Sequence, residues 1–439
     1  MAERSRHLHL CAFPHSGPLA WRRRGAAAEG DLTIDFYRRI AAAAERGKFD
    51  AMFLADNVAM NDWHTGVAAA DRVGNAVCFE PFTLLSALAM VTTRLGLMAT
   101  ASTSYNHPYH IARKFASLDH LSGGRAGWNI VTSRTESEAE NFQFGGESED
   151  PAKYERAEEF VDLVKSLWDS WADDAFTRDR TSGAYYDAGK MYPPEHRGRF
   201  FQVRGPLNIP RPPQGHPILC QAGRSSAGLE LAARTSDLVF NNQHTPEANR
   251  AFRDGVRARA VRHGRRPEDI RFMAGLFVVI GGTEEEARRK VREARDAVDM
   301  PTAKRFLAPF LPGVDLEKLG DDEPIPDTPA AEAAAAAAGI RLHQGGRRLG
   351  VRDLCTSFGN HWRQLEVIGT PEQVADLMAD WLAKDAADGF NLMTLALPEG
   401  YEEFADGVVP ELQRRGIFRE DYEGVTLRDH LGLARPARA

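Results

Sequence analysis

Apolar positions along the chain fall into two rhythms that alternate almost throughout. Short apolar runs at 7–13, 49–55, 95–101, 126–131, 217–222, 237–240, 272–280 and 390–397 read as strands. Between them the spacing turns helical, at 32–47, about 82–93, 109–121, 154–171, from the 217–222 run through Arg234, 247–263, 371–385 and about 402–415. In the 154–171 segment Phe160, Val161, Val164, Leu167, Trp168 and Trp171 recur on one helical face. Asp31 is placed to cap the first helix, and Gly47 stands near its end. Near-continuous apolar strands are typical of a parallel sheet covered on both faces. About eight strand–helix units are too many for a small doubly wound sheet. The pattern predicts one domain over 1–439, a (β/α)8 TIM barrel of the α/β class enlarged by insertions.

Two stretches break the rhythm. Residues 173–213 carry FFQV between Gly198 and Gly205 and read as a β-hairpin insertion. Residues 315–348 run from an acidic, proline-rich patch (DDEPIPD) through an alanine run to a Gly/Arg patch. That composition offers little apolar surface to a core, so the second stretch reads as a lid or mobile excursion outside the barrel.

Composition narrows the function. With 55 basic and 62 acidic residues the chain carries a net charge of −7, without the basic footprint that nucleic-acid binding needs. Four widely spaced cysteines with no Cys-x-x-Cys leave no disulfide framework and no cysteine-built zinc site. The longest uncharged apolar runs, 81–93 and 274–283, fall short of the ~20 residues that span a bilayer. The opening MAERSRHLHLCAF has no secretory apolar core or small-residue cleavage site. A cytoplasmic protein with no membrane partner is expected.

Several standard signatures are missing. No G-x-G-x-x-G occurs, and Gly183…Gly189-Lys190 has the wrong spacing for a P-loop, with Met191 where Ser or Thr is needed. Gly223-Arg-Ser-Ser-Ala ends in Ala227 rather than the glycine of a nucleophile elbow. His7-Leu8-His9 resembles the metal-binding pair of barrel hydrolases, but it sits at the start of its strand, at the wrong end of the barrel. No metal site is expected.

Barrel active sites are assembled at strand C-termini. There the sequence places Asp56, the run Ser102, Thr103 and Ser104, Asn129, and Gln221 with Gly223. An exposed Asp after a strand is often only a cap or turn former, but polar residues in four consecutive units suggest one ligand held by the rim. QAGRSSAG (221–228) takes a buried strand through a Gly/Ser loop directly into a helix. Free backbone N–H groups, the helix dipole and the Ser225 and Ser226 hydroxyls make a phosphate cradle; a serine N-cap with no ligand fits the spacing equally well. Tyr154 opens another helix within reach of such a cradle, or packs. His15, His107 and His110 stand near the predicted mouth as candidates to steer protons or bind substrate. Trp21, Phe79, Tyr105 and Trp128 serve equally well as pocket or core.

KFDAMFLAD (48–56), FEPFTLLSALA (79–89), STSYNHPYHIARKFASLDHLSGGRAGWNIVTS (102–133), YERAEEF (154–160), QAGRSSAG and VIGTPEQVAD…DGFNL (367–392) resemble the luciferase-like flavin monooxygenases. Within them the resemblance is to the nitrilotriacetate, dibenzothiophene-sulfone and long-chain alkane monooxygenase group, over roughly 8–416. It implies a two-component enzyme that takes reduced FMN from a separate NAD(P)H:flavin reductase. Reduced FMN and O2 would form a C4a-(hydro)peroxyflavin that passes one oxygen atom to a small organic substrate. It also implies a homodimer or homotetramer. The family pattern places flavin contacts at Asp56, Ser102, Thr103, Asn129, Tyr154 and Ser225. Two positions depart from it: Asp150 stands where the family often has His, and Arg224 where a small residue is common. A deazaflavin-dependent dehydrogenase of the same fold, or a flavin-binding barrel without activity, are the alternative readings. The sequence does not choose the substrate.

Overall fold

The computed structural model describes residues 7–15, 17, 20–23, 25–26, 32–60, 77–133, 136–142, 152–223, 225–344, 346–359 and 365–438. The strands of its main sheet are β1 (His9–Ala12), β2 (Ala51–Leu54), β3 (Gly96–Ser102), β4 (Ala126–Val131), β5 (Ile218–Gln221), β6 (Leu238–Asn241), β7 (Arg271–Ile280), β8 (Leu365–Gly369) and β9 (Gly389–Thr394). They pair in parallel in the order β7-β9-β1-β2-β3-β4-β5-β6, and β6 returns to β7. These eight strands close the expected (β/α)8 barrel. β8 stands outside the ring, against residues 276–280 of β7, beyond the 271–274 segment that β6 covers. β7 runs ten residues, longer than the ring requires, and β8 covers its free end.

Period-two alternation decides what each strand faces. Register sets Cys11 beside Ala51 and Asn391, Thr100 beside Asn129, and Asn129 beside Cys220. Cys11, Ala51, Phe53, Met98, Ile218, Cys220, Leu238, Phe240 and Met273 fill the lumen as one cluster. The alternate residues, among them Leu10, Met52, Leu97, Ala99 and Trp128, join the larger cluster beneath the helices. Trp128 therefore points away from the lumen, with its indole N–H donated to the Ala101 carbonyl at 3.0 Å. It is core and lines no pocket.

Leu427, Leu431 and Leu433, from the C-terminal segment, pack into the lumen cluster and form the barrel floor. A Cβ on Gly96 would come within 2.6 Å of Leu427, so this glycine admits the plug. At the same end His9 Nδ1 lies 3.0 Å from Asp50, which also pairs with Arg419. His9 is thus occupied by an ion-pair network at the end remote from the mouth.

The helix layer includes α1 (Ile34–Arg46), α2 (Pro81–Ala89), α3 (Pro108–Ser122), α4 (Lys153–Trp168), α5 (Ser226–Thr235), α6 (Pro246–Arg262), α7 (Glu284–Asp296) and α8 (Pro371–Ala383). α2 stops earlier than the spacing predicts. Buried Arg125 collects the carbonyls of Ala89, Thr92 and Leu95 at 3.3, 2.9 and 2.6 Å, so the chain leaves the helix to present them. Thr33 occupies the N-cap position of α1; Asp31 lies outside the described residues.

In the first insertion His196–Arg197 pairs antiparallel with Gln202–Val203. Around the second, helices Met300–Leu307, Pro329–Ala338 and Val351–Gly359 enclose a separate apolar cluster that runs from Val298 to Cys355. The segment buries more than its composition suggests, because Ala331 and Ala335 recur at i, i+4 and line one helical face. An ion pair from Asp299 to Arg22 (3.2 Å) ties this unit to the loop after β1. Among the described residues no helix is long and apolar enough to cross a membrane.

Candidate active site

The tightest convergence of predicted residues lies where β5 turns into α5. Ser225 caps α5, its hydroxyl accepting the Gly228 N–H at 3.1 Å. The Tyr154 hydroxyl, from the first turn of α4, lies 2.8 Å from the same oxygen. Two glycines make this possible. A Cβ on Gly223 would sit 3.2 Å from the Gly228 Cα, and one on Gly228 would sit 3.1 Å from Ser225 Oγ. Either would push the loop off the helix end. Ser226, the first residue of α5, is exposed beside them, and the Lys153 ammonium lies 5.9 Å from the centre of the Tyr154 ring. Two hydroxyls gathered at the positive end of a ten-residue helix are a donor set of the kind that suits an anion. Asp150 and Arg224 lie outside the described residues.

A second group forms the rim above β2, β3 and β4. Asn129 donates to Thr100 Oγ1 (2.9 Å) and accepts from Cys220 Sγ (3.4 Å), while Thr100 donates to the Leu54 carbonyl (2.8 Å). These bonds commit Asn129 to the lumen wall. Thr103 donates to the Val131 carbonyl, and its own carbonyl receives Arg156. Ser102, on the lumen-facing side of β3, lies 2.8 Å from Ser133, which donates to Glu138 at 3.3 Å. Asp56 is half-buried, and burial together with the Glu80 and Glu138 carboxylates pushes it up to about 6, against a backbone bond from Asn57. Glu80 itself caps α2, accepting from Phe82 and Thr83.

Three buried amides near the mouth lack a full set of partners: Gln221 Oε1, Asn241 Nδ2 and Asn391 Oδ1. Gln221 and Asn241 end adjacent strands, and Asn391 shares the lumen register of Cys11. Such orphans are rare in folded proteins and suit a polar ligand that completes them.

The three histidines do not converge on one point. His15 stacks on Phe13 at 5.3 Å, and burial pushes its imidazole down to about 4. His107 caps α3 by accepting the Tyr109 N–H at 3.3 Å, and its ring lies 6.2 Å from that of His110. Burial, then His110 and Arg156, hold His107 below its ordinary value. Both rings are exposed. A separate hollow of about 380 Å³, lined by Arg23, Arg289, Lys290, Glu293, Glu399 and Glu403 among others, contains none of the predicted site residues.

Residues 17–389 match the sequence model of the luciferase-like monooxygenases. The chain belongs to that family. As a member it is an enzyme, a flavin-dependent monooxygenase in kind. It is 45% identical over 428 residues to N-acetyl-S-(2-succino)cysteine monooxygenase of Bacillus subtilis, covering 95% of this chain and 94% of that one. It is 44% identical over 425 residues to nitrilotriacetate monooxygenase component A of Aminobacter aminovorans, covering 95% and 93%. Among solved structures it superposes with a TM-score of 0.81 on a riboflavin lyase crystallised with modified FMN and riboflavin, at 30% identity over 97% of this chain and 96% of that one.

In this luciferase-like monooxygenase, sequence spacing pointed to Gly223 and Ser225 and the family resemblance to Tyr154, and the fold brings the three together. It set Asp56 and Ser102 on one rim but gave no sign of what surrounds them. Glu138 sits in ESEAE, an acidic run that reads as a solvated helix face, yet its side chain is buried. Asn241 and Asn391 were also missed. Asn391 carried a weak signal, as an amide within an apolar strand.

Proposed function

We propose that this chain is the oxygenase component of a cytoplasmic two-component system. It takes reduced FMN from a separate NAD(P)H:flavin reductase and uses O2 to insert one oxygen atom into a small organic substrate. The observation that carries the reading is the Tyr154–Ser225–Gly228 cradle at the head of α5, together with orphaned amides for which a flavin offers partners. The riboflavin lyase, a relative of the same fold, was crystallised with a modified FMN. The nitrilotriacetate enzyme is named as one component of a system, which supports a separate reductase, as does the missing dinucleotide motif.

Reduced FMN, when bound, would supply the two electrons that activate O2, of which one oxygen atom goes to the substrate and the other leaves as water. The protein's own residues do the rest. Ser225, Tyr154, Ser226 and the Gly223–Gly228 loop hold the phosphate, with Lys153 adding positive charge. Asp56, Ser102 and Thr103 face the ring system from the rim, while Asn129 stiffens the wall behind them. His15, neutral at pH 7, accepts or donates a hydrogen bond without carrying charge into an apolar mouth. His107 and His110 stand at the rim as proton carriers. Residues 298–355, tied to the β1 loop through Arg22, shield the mouth from water. The oxygenase works as a homodimer or homotetramer.

Anaerobic titration with reduced FMN, followed by rapid mixing with oxygenated buffer, tests the reading. Tight binding and reoxidation slower than that of free reduced FMN are expected. No binding, with reoxidation at the free-solution rate, would overturn it, and binding of a reduced deazaflavin instead would move the chain to the dehydrogenase class.

A further inference from the structure

The rim above β3 contains a chain of hydrogen bonds that runs in one direction only. The Ser133 hydroxyl donates to the Glu138 carboxylate (3.3 Å). A hydroxyl has one proton to give, so the 2.8 Å contact between Ser102 and Ser133 must be donated by Ser102. The Ser104 N–H in turn donates to Ser102 Oγ at 3.0 Å. All three side chains are buried, at 6%, 7% and 8% exposure for Ser102, Ser133 and Glu138. Protected from water, such a chain is polarised along its length, and reversing it would leave Glu138 facing an oxygen lone pair.

Ser102 occupies the lumen-facing position two residues beyond Thr100, at the end of β3. With its proton committed to Ser133 and one lone pair to Ser104, it has one acceptor site left for the mouth. Nothing in the sequence or the family resemblance pointed to Glu138.

We infer that Glu138 is a positioning residue: through Ser133 it fixes Ser102 as a hydrogen-bond acceptor, and the rim thereby favours a flavin ring edge that carries an N–H over one that carries a bare nitrogen. The inference rests on the flavin reading above. Reduced FMN has an N–H at the central ring nitrogen, where oxidised FMN has only a lone pair. An acceptor-only oxygen attracts the first and repels the second. The relay would thus be one source of discrimination between the two redox states of one ligand.

The test is a pair of dissociation constants, for reduced FMN (anaerobic) and oxidised FMN, measured on the full chain and on Ser133→Ala, Glu138→Leu and the double variant. The wild-type chain should bind reduced FMN more tightly. Each single variant should shrink that gap by roughly tenfold, the size of one buried hydrogen bond to a charged system. The double variant should lose no more than either single one, because both cut the same chain. Ser133→Ala alters neither charge nor backbone, so it carries the test if Glu138→Leu folds poorly. Equal weakening of both redox states, or an unchanged ratio, would overturn the relay and leave the flavin site standing. Failure of the wild-type chain to bind either form would overturn both.

Discussion

Asp56 titrates in an unusual place for a surface-accessible carboxyl. Burial removes part of its hydration, and the carboxylates of Glu80, at the head of α2, and Glu138, on the short helix Glu136–Glu140, oppose its ionisation. In the unfolded chain it returns to the ordinary 3.8; in the folded chain it holds its proton up to about 6. A raised acid binds more protons folded than unfolded, so stability falls as pH climbs from about 4 to 6 and stays lower above that. Asp56→Asn should therefore stabilise the protein at pH 8 by ~1–2 kcal/mol, with the gain vanishing near pH 4, as thermal melts across that range would reveal. The same change should weaken FMN binding, an exchange of stability for function. A melting temperature at pH 8 unchanged by the substitution would show that the three acids do not oppose one another. The sequence located Asp56 because it follows an apolar strand. Its acidic neighbours were not legible, since charge crowding between separate segments leaves no local pattern.

At the scale of elements, α5 joins two duties that separate experimentally. Ser225→Ala removes a helix cap, which costs about 1 kcal/mol of stability. It also removes one hydroxyl from the proposed phosphate site. FMN affinity should fall by at least ~10-fold, the worth of a hydrogen bond to a charged group, while riboflavin, which lacks the phosphate, should bind almost as before. If calorimetry finds both ligands weakened alike, Ser225 acts through the fold alone. Tyr154→Phe should show the same selectivity with little loss of stability. This element was readable because strand, loop and cap are contiguous in QAGRSSAG. α2 was not read to its true end, because what stops it, Arg125, arrives from beyond α3. The insertion around 315–348 hid its core for another reason: its apolar surface is supplied by alanines, each too small to stand out in a run of them.

On the scale of the whole molecule, the barrel is closed below by residues that no strand–helix rhythm announces. Leu427, Leu431 and Leu433 follow the last regular unit, yet they share a cluster with Cys11, Met98 and Cys220. Leu427→Ala should destabilise the protein by ~2–5 kcal/mol, the usual range for a leucine lost from a packed core. Denaturant unfolding would measure it, and a loss below ~1 kcal/mol would mean that the floor is dispensable. The eight barrel strands were legible because each repeats the same apolar signature. The floor was not, because a plug is defined by what it enters rather than by any period of its own.

That plug also orders events in time. Domains fold as units while the ribosome delivers the chain from its N-terminus. Here β1 needs β9, about 380 residues further on, to complete the ring, and the ring needs Leu427, Leu431 and Leu433 before its lower opening is sealed. A chain in which β9 has closed the ring but residues 427–433 have not yet docked exposes the barrel's apolar interior at its lower end, an aggregation-prone stage that only the docking of those leucines ends.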